Sequence, residues 1–282
     1  MGGSRLRLLP RWNSILGNIS VILAALEELL PEIRRKGPGR PPKHGIRDYM
    51  MLLVIKESKK SSLRCTETDW SSLVCGEAVD HSVIHYWEKR LPPELINEVV
   101  RIVGSQLERQ LGYDFTVIDA TAFSDWHSRH RSFHLLNRVS QDTVYPVSIA
   151  VDTFDPVPNT RDTIVAGRGL FMGDKCYDVG KVFETAYRHG YTPLIKPQRT
   201  RSRGYYRIKG RKVYWKLWRT YRQRGRGESV FGSLTNAFGD RMHTRLPETG
   251  YVRSALRVIA YQIKIYARVS YSCQAAIWPM NN

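Results

Sequence analysis

In the first part of the chain, apolar residues recur every three or four positions, which is the spacing of amphipathic helices. The clearest run extends from Ser14 to Leu30 and ends near Pro31, a residue that cannot continue a helix. Further helices are predicted over Arg47 to Lys56, Ser62 to Val74, His81 to Lys89 and Glu94 to Leu111. The cations near one of the intervening turns are Lys56, Lys59, Lys60 and Arg64. Short helices separated by such turns are typical of a helix-turn-helix DNA reader, and also of an ordinary helical bundle.

Beyond Tyr113 the pattern changes to that of strands, with runs rich in β-branched residues. The predicted strands are Phe115 to Ala122, Ser132 to Val139, Val144 to Thr153, Leu170 to Gly173 and Thr192 to Lys196. Helices are predicted over Arg161 to Gly169, as a crossover, and over Val179 to His189. Three strands followed by alternating helix and strand indicate an α/β domain with a mixed sheet.

This change of pattern divides the chain. We expect a helical region suited to DNA binding over residues 1–111, an α/β domain over 112–272 and a tail over 273–282. Within the first region, the glycines and prolines of residues 36–45 exclude a helix. The segment is either an extended cationic hook for the minor groove of DNA, with Arg40 and Lys43 as contacts, or a plain linker.

The charge of the chain narrows the choice of partner. It has 44 Lys and Arg against 26 Asp and Glu, a formal net charge of +18 and a pI near 9.9. An excess of this size favours nucleic acid as partner, although a ribosome-associated or merely basic protein has a similar composition.

The cysteines and the N-terminus bear on location. Cys65, Cys75, Cys176 and Cys273 form no Cys-x-x-Cys pair, so neither a zinc site nor a disulfide framework is indicated. No signal peptide and no apolar run of membrane-spanning length is recognised. We therefore expect a cytoplasmic protein that acts on the nucleoid and not on a membrane.

Three acidic residues lie where a metal-binding carboxylate would be useful. Asp119 ends the apolar run Phe-Thr-Val-Ile-Asp, and Asp174 follows Leu-Phe-Met-Gly at the end of another predicted strand. Glu228 lies in a stretch crowded with arginines. Carboxylate oxygens are the ligands that Mg²⁺ prefers, and ligands collect at the carboxyl ends of strands in such sheets. The alternative for Asp119 is a loop cap or an arginine pair, and for the nearby Asp178 we expect the N-cap of the next helix.

If the stretch around Glu228 is helical, Tyr221 and Arg224 share its face, seven and four residues back. An Arg-Glu pair at that spacing is usually a surface salt bridge. Here further arginines, Arg219, Arg222 and Arg226, crowd a single Glu, as expected where a metal-binding acid lies beside phosphate-binding cations. Gly225 and Gly227 weaken the prediction of a helix.

The segment Lys196 to Arg226 carries Lys or Arg at 13 positions, interleaved with tyrosines and tryptophans. Such a mixture suits a loop that handles DNA, because cations neutralise phosphates and rings stack on unpaired bases. The alternative is a solvated basic hairpin whose aromatic side chains pack on the sheet. The residues expected to supply salt-dependent affinity are Arg201, Arg203, Arg211 and Lys212.

His127, His130 and His134 are expected to lie in a polar loop, without a metal.

Taken together, these motifs resemble the DDE transposases of bacterial and archaeal insertion sequences. The first-aspartate motif is similar to Val-Ile-Asp119-Ala-Thr, and the second to Gly-Asp174-Lys-Cys-Tyr-Asp. Tyr221, Arg224 and Glu228 reproduce the family's spacing of Tyr, two residues, Arg, three residues, Glu. The chain departs from many members at Thr235, where a Lys is common.

The resemblance implies a ribonuclease H-like catalytic domain and an endonuclease that also joins strands. Asp119, Asp174 and Glu228 would bind two Mg²⁺ ions, with Mn²⁺ as a substitute, and Asp119 would bridge them. Tyr221, Arg222, Arg224 and Arg226 would contact double-stranded DNA at element ends and target, held by a homodimer. The alternatives are a ribonuclease H-like nuclease without strand transfer and a DNA-binding transposase remnant without catalysis.

Overall fold

The computed structural model describes residues 19–33, 41–125, 127, 130–151, 163–198 and 203–277. The chain forms two compact units. One contains the residues up to Arg90 and those from Ile259 onwards, and the other contains Leu91–Val258. None of the helices in the described ranges has the length and apolarity needed to cross a membrane.

The smaller unit is helical, as the apolar spacing predicted. Its helices before Arg90 are α1 (Ile19–Leu29), α2 (Ile46–Lys59), α3 (Leu63–Cys65), α4 (Ser71–Cys75) and α5 (His81–Arg90), and it also contains the last part of the C-terminal helix. A π-helical stretch, Thr66–Trp70, joins α3 to α4, so the helix predicted over residues 62–74 is interrupted. The hydroxyls of Thr66, Thr68 and Ser71 each donate to a backbone carbonyl three or four residues back, which competes with the regular helical bonds.

One basic residue of this unit is unavailable to DNA. Lys56 is 4% exposed, and its Nζ lies 2.9 Å from a carboxylate oxygen of both Glu57 and Glu88. The exposed cations near the same turn are Lys60 and Arg64. Lys56 thus lies near this turn as predicted, but it neutralises two buried carboxylates and adds no charge to the exposed surface.

The larger unit is an α/β fold around a five-stranded mixed sheet, as predicted, and this sheet is consistent with a ribonuclease H-like fold. Its strands are β1 (Phe115–Ser124), β2 (His130–Val139), β3 (Val144–Val151), β4 (Gly169–Gly173) and β5 (Tyr191–Ile195). The spatial order is β3-β2-β1-β4-β5. Strands β1, β2 and β3 pair antiparallel, whereas β4 is parallel to both β1 and β5.

The helices of this unit are α6 (Pro93–Leu111), α7 (Gly180–Arg188), α8 (Tyr205–Tyr221), α9 (Gly225–Phe238) and the first part of α10 (Pro247–Ile277). One sheet face presents a buried cluster that α8 covers. Its sheet residues are Phe115, Val117, Val139, Met172 and Leu194, and its α8 residues are Val213, Tyr214, Leu217 and Tyr221. Because side chains alternate along a strand, Asp119 lies on the same face as Phe115 and Val117.

The basic segment before Glu228 forms a helix, so its prediction as a loop or hairpin is wrong. Val213, Leu217 and Tyr221 recur every four residues and pack on the sheet cluster. Dense charge between these positions hid that period in the sequence. The helix is kinked at Leu217, where φ is −116° and ψ is 20°.

The crossover helix predicted over residues 161–169 is also wrong within the described residues. Residues 164–168 are not helical, and β4 begins at Gly169. The buried Arg138 and Tyr191 side chains account for this, since they donate to the carbonyls of Ala166 and Val165, both at 2.9 Å. Those bonds hold the backbone of the segment against the sheet.

Candidate active site

The two aspartates follow neighbouring positions of adjacent strands, at the point where β4 ends. Ile118 of β1 and Gly173 of β4 are register partners in a parallel pair, and each is followed directly by an aspartate, Asp119 or Asp174. Neighbouring strands are about 4.8 Å apart. Strand β4 ends at Gly173 while β1 continues to Ser124, so Asp174 begins a turn beside the middle of β1.

The third carboxylate is brought to Asp119 by an arginine. Arg224 Nη1 donates to Asp119 Oδ2 at 2.8 Å, and its Nη2 donates to Glu228 Oε1. Tyr221, three residues earlier, donates from its hydroxyl to the carbonyl of Gly173 at 3.1 Å. Tyr221 of the predicted motif thus contacts the carboxyl end of β4, and its Arg and Glu lie beside Asp119 in the middle of β1.

Helix α9 approaches β1 closely because of a glycine. A Cβ at Gly227 would lie 2.6 Å from Val117 Cγ1 and 2.7 Å from Val117 Cβ, far inside ordinary contact. The glycine that weakens the helix prediction is therefore the residue that permits this packing, and α9 starts at Gly225. Because Glu228 is the next residue, the close approach positions it beside Asp119.

Burial and neighbouring charges shift the pKa of two side chains in this site. Burial raises the pKa of Asp119, and the Glu228 carboxylate raises it further, against the backbone N–H of Ala120 and the Arg224 guanidinium, which lower it. Burial also raises the pKa of Tyr221 to about 12, and the nearby Asp174 and Asp119 charges add to that rise. A desolvated carboxylate among other carboxylates favours a bound cation.

The donor set fits a hard divalent cation, since one guanidinium bridges the carboxylates of Asp119 and Glu228, and Asp174 follows the strand position that pairs with the residue before Asp119. The oxygens of these three carboxylates do not all lie within 4.8 Å of one another in this structure. Among the described residues, Glu67, Asp80 and His81 form a group with ligand atoms within 4.8 Å. There Glu67 Oε2 accepts from the backbone N of His81 at 3.1 Å and lies 2.8 Å from its Nδ1, which fastens the first turn of α5.

The predicted DNA contacts fall into three groups. Arg40 and Arg201 lie outside the described residues. Arg203, Lys212 and Arg222 are exposed, and the Arg222 guanidinium lies 5.1 Å from the centre of the Trp218 ring. Lys43, Arg211 and Arg226 have protein partners, which are the Glu77 carboxylate at 2.6 Å, the Gln198 carbonyl at 2.7 Å and the carbonyls of Ser140 and Gln141.

The aromatic side chains of α8 divide between core and surface. Tyr214 and Tyr221 pack against the sheet cluster, whereas Trp215 and Trp218 are 68% and 42% exposed. The alternative in which both tryptophans pack on the sheet is therefore wrong.

The histidines do not form one group. His127 is exposed, whereas His134 is buried in β2 with its Nδ1 2.7 Å from the Tyr177 hydroxyl. The side chain of His130 lies outside the described part of the chain. The placement of His134 in a polar loop is therefore wrong, whereas the strand predicted over Ser132 to Val139 contains it. Its burial was not anticipated, because its partner follows 43 residues later.

The predicted N-cap role of Asp178 is wrong. Helix α7 begins at Gly180 with Val179 as its N-cap residue, and no side chain caps it. Asp178 is instead fully buried, and it accepts from the backbone N of Gln198 at 2.7 Å and from Arg207 Nε at 2.8 Å. No local signal in the sequence pairs residues 29 positions apart.

Comparison with known proteins gives one match. The model of the family described as Transposase DDE domain matches residues 110–263, which is more than half of the chain. The matched region includes Asp119, Asp174 and Glu228. No curated protein and no solved structure matches the chain.

Proposed function

Because the chain belongs to the transposase DDE domain family, we propose that it is an insertion-sequence transposase that cleaves element ends and joins them to target DNA. One observation supports this most strongly. Asp119 and Asp174 follow register partners in adjacent parallel strands, and Arg224 links Asp119 to Glu228. Two aspartates on adjacent strands, with Glu228 linked to one of them through Arg224, support a shared metal site built from distant parts of the sequence.

In this proposal Asp119, Asp174 and Glu228 hold two Mg²⁺ ions, or Mn²⁺ in their place. When bound, these ions lower the pKa of the attacking hydroxyl group and neutralise charge on the scissile phosphate. Arg224 keeps the carboxylates of Asp119 and Glu228 together, and its guanidinium is suited to a phosphate oxygen. Tyr221 fixes the backbone just before Asp174, because its hydroxyl donates to the Gly173 carbonyl.

Double-stranded DNA lies along the exposed face of α8 in this proposal. Arg203, Lys212 and Arg222 offer charge there, and Trp215 and Trp218 offer exposed rings. Arg226 orients α9 through the turn between β2 and β3, so its contribution to DNA is indirect. In this proposal the chain acts on the DNA of the nucleoid.

The smaller unit supplies sequence-specific binding in this proposal. Helices α4 and α5 are joined by a short turn that starts at Gly76, where φ is 75°. Such a helix pair, with an exposed second helix, is the arrangement of a helix-turn-helix reader. The exposed residues of α5 are Ser82, Val83, Tyr86, Lys89 and Arg90. A homodimer would hold the two ends of the element.

The test is incubation of the chain with Mg²⁺ and a labelled linear DNA that carries its own element ends. Asp119→Ala is assayed in parallel, and both proteins are checked for equal DNA binding. End cleavage with joining, both lost in the variant, is the expected result. Cleavage without joining would favour the nuclease alternative, and DNA binding without either activity would favour a transposase remnant.

A further inference from the structure

Asp174 is the first residue of a short turn, residues 174–178, called the Asp174 turn below. A 3-10 turn, Lys175–Tyr177, occupies its middle. Asp174 Oδ1 accepts from the backbone N of the adjacent Lys175 at 2.6 Å, so its carboxylate follows the backbone of the turn. Whatever holds this turn therefore sets the direction of Asp174.

A buried tyrosine holds the turn from one side. Tyr177 is 2% exposed, and its hydroxyl lies 2.7 Å from Nδ1 of His134, which is itself 6% exposed. His134 is the register partner of Ala120, the residue after Asp119. The bond therefore connects the Asp174 turn to the strand that pairs with the Asp119 strand.

The far end of the turn is held by a buried ion pair. Asp178 is fully buried, and Arg207 of α8 donates to its carboxylate from Nε at 2.8 Å and to its backbone carbonyl from Nη2. Gln198 adds two bonds, from its backbone N to Asp178 Oδ2 at 2.7 Å and from Nε2 to the Lys175 carbonyl at 2.8 Å. A buried carboxylate is retained in a fold only when it is paired and hydrogen-bonded in this way.

The two ends of α8 therefore contact the Asp174 turn and the residue just before it. Arg207 lies in the first turn of α8, and Tyr221, the last residue of α8, donates to the carbonyl of Gly173 just before Asp174. The chain then continues through Arg224 into α9, which carries Glu228. The elements that bear the three carboxylates are thus fastened to one another by these contacts.

We propose that Asp178, Arg207 and the Tyr177–His134 pair are positioning residues that hold Asp174 beside Asp119 and so set the affinity of this site for its divalent cation. This inference rests on the function proposed above. These residues lie outside the carboxylates themselves, and such outer partners change metal affinity by about 10-fold to 100-fold when they are removed.

The test uses the full chain with Tb³⁺ as a luminescent probe that Mg²⁺ displaces, without DNA. Arg207→Gln removes the ion pair, Arg207→Lys keeps the charge but not the forked contact, and Tyr177→Phe removes only the hydroxyl. We expect Arg207→Gln to weaken cation binding about tenfold, with smaller losses in the other two variants. The Mg²⁺ concentration for half-maximal DNA cleavage should rise in the same order.

The matched control is Arg188→Gln, which removes an exposed arginine paired with Glu184. Loss of a positive charge by itself would strengthen cation binding. Weaker binding in Arg207→Gln but not in the control would therefore show that Asp174 has moved. If Arg207→Gln does not fold, Arg207→Lys and Tyr177→Phe decide the matter.

Unchanged cation binding in every folded variant would overturn the inference while leaving the proposed function intact. Another result would contradict the proposed metal-dependent function as well as the positioning role. If Asp119→Ala binds Tb³⁺ as tightly as the wild type, the metal site itself is wrong, and the positioning role fails with it.

Discussion

Gly227→Ala tests whether the close packing of α9 on β1 sets the position of Glu228. The added Cβ would lie 2.6 Å from Val117 Cγ1, where ordinary contact begins at 3.4 Å. The backbone of the helix must therefore move by roughly 1 Å, because the obstacle is the branched base of a buried valine in a strand. Glu228 is the next residue and would move with the helix.

The effect on stability can be worked out from two opposing contributions. Overpacking a core costs about 1–3 kcal/mol, whereas replacing glycine by alanine within a helix contributes about 1 kcal/mol. The net loss for Gly227→Ala is therefore about 0–2 kcal/mol. Gly232 lies in the same helix with open space around it, so Gly232→Ala should raise the free energy of unfolding by up to about 1 kcal/mol.

The effect on activity should be larger than the effect on stability. A displacement of about 1 Å at a catalytic group lowers the rate on the order of a hundredfold. Urea denaturation gives the free energies of unfolding, and Mg²⁺-dependent cleavage of element-end DNA gives the rates. Gly232→Ala should cleave at the wild-type rate, since its side chain meets nothing within 4 Å.

One result would refute this reasoning. If Gly227→Ala is as stable as Gly232→Ala and cleaves DNA as fast, then α9 does not contact Val117 as closely as described. Reduced stability with a wild-type rate would show that the close approach matters for packing but not for the position of Glu228.

Three further predictions follow from other contacts. Arg138→Met should lower the free energy of unfolding by about 1–3 kcal/mol in urea denaturation, because it removes the donor to the buried Thr116 and Tyr191 hydroxyls. The exposed control Arg188→Met should cost less than about 0.5 kcal/mol. Burial lowers the pKa of His134 below its ordinary value of 6.5, so the folded state binds fewer protons than the unfolded state. The wild type should therefore lose stability as pH falls below 6.5, and the melting temperature of His134→Gln should fall less over the same range. Replacing Arg203 and Lys212 by Gln should reduce the slope of log affinity for DNA against log salt by about 1 per residue, and an unchanged slope would remove them from the interface.

Much of the fold could be predicted from local pattern. Periods of two and of about 3.6 residues distinguish strands from helices, and they located β1 to β5 and most helices of the smaller unit. The predictions failed where distant contacts override local preference. Residues 164–168 have no helix because Arg138 and Tyr191 hold their carbonyls, and α8 was missed because charge obscured its apolar face.

The candidate site shows the same division. Asp119, Asp174 and Glu228 could be chosen as candidates because each ends an apolar run or belongs to a Tyr-Arg-Glu spacing. Local sequence did not predict three other features of the site. These are the close approach of α9 to β1 at Gly227, the buried Asp178–Arg207 ion pair and the His134–Tyr177 hydrogen bond. Each depends on a contact between residues that are far apart in the chain, and nothing in the neighbouring sequence specifies such a partner.

Periodicity and short motifs were enough to predict the class of fold and the family, and to single out three carboxylates as candidates. Only the tertiary structure decided which side chains support them. Burial makes the difference: Lys56 and Asp178 look like surface charges in the sequence, yet the fold places both where an unpaired charge is costly. Their partners were therefore set by the packing of the whole unit and not by their neighbours in the chain.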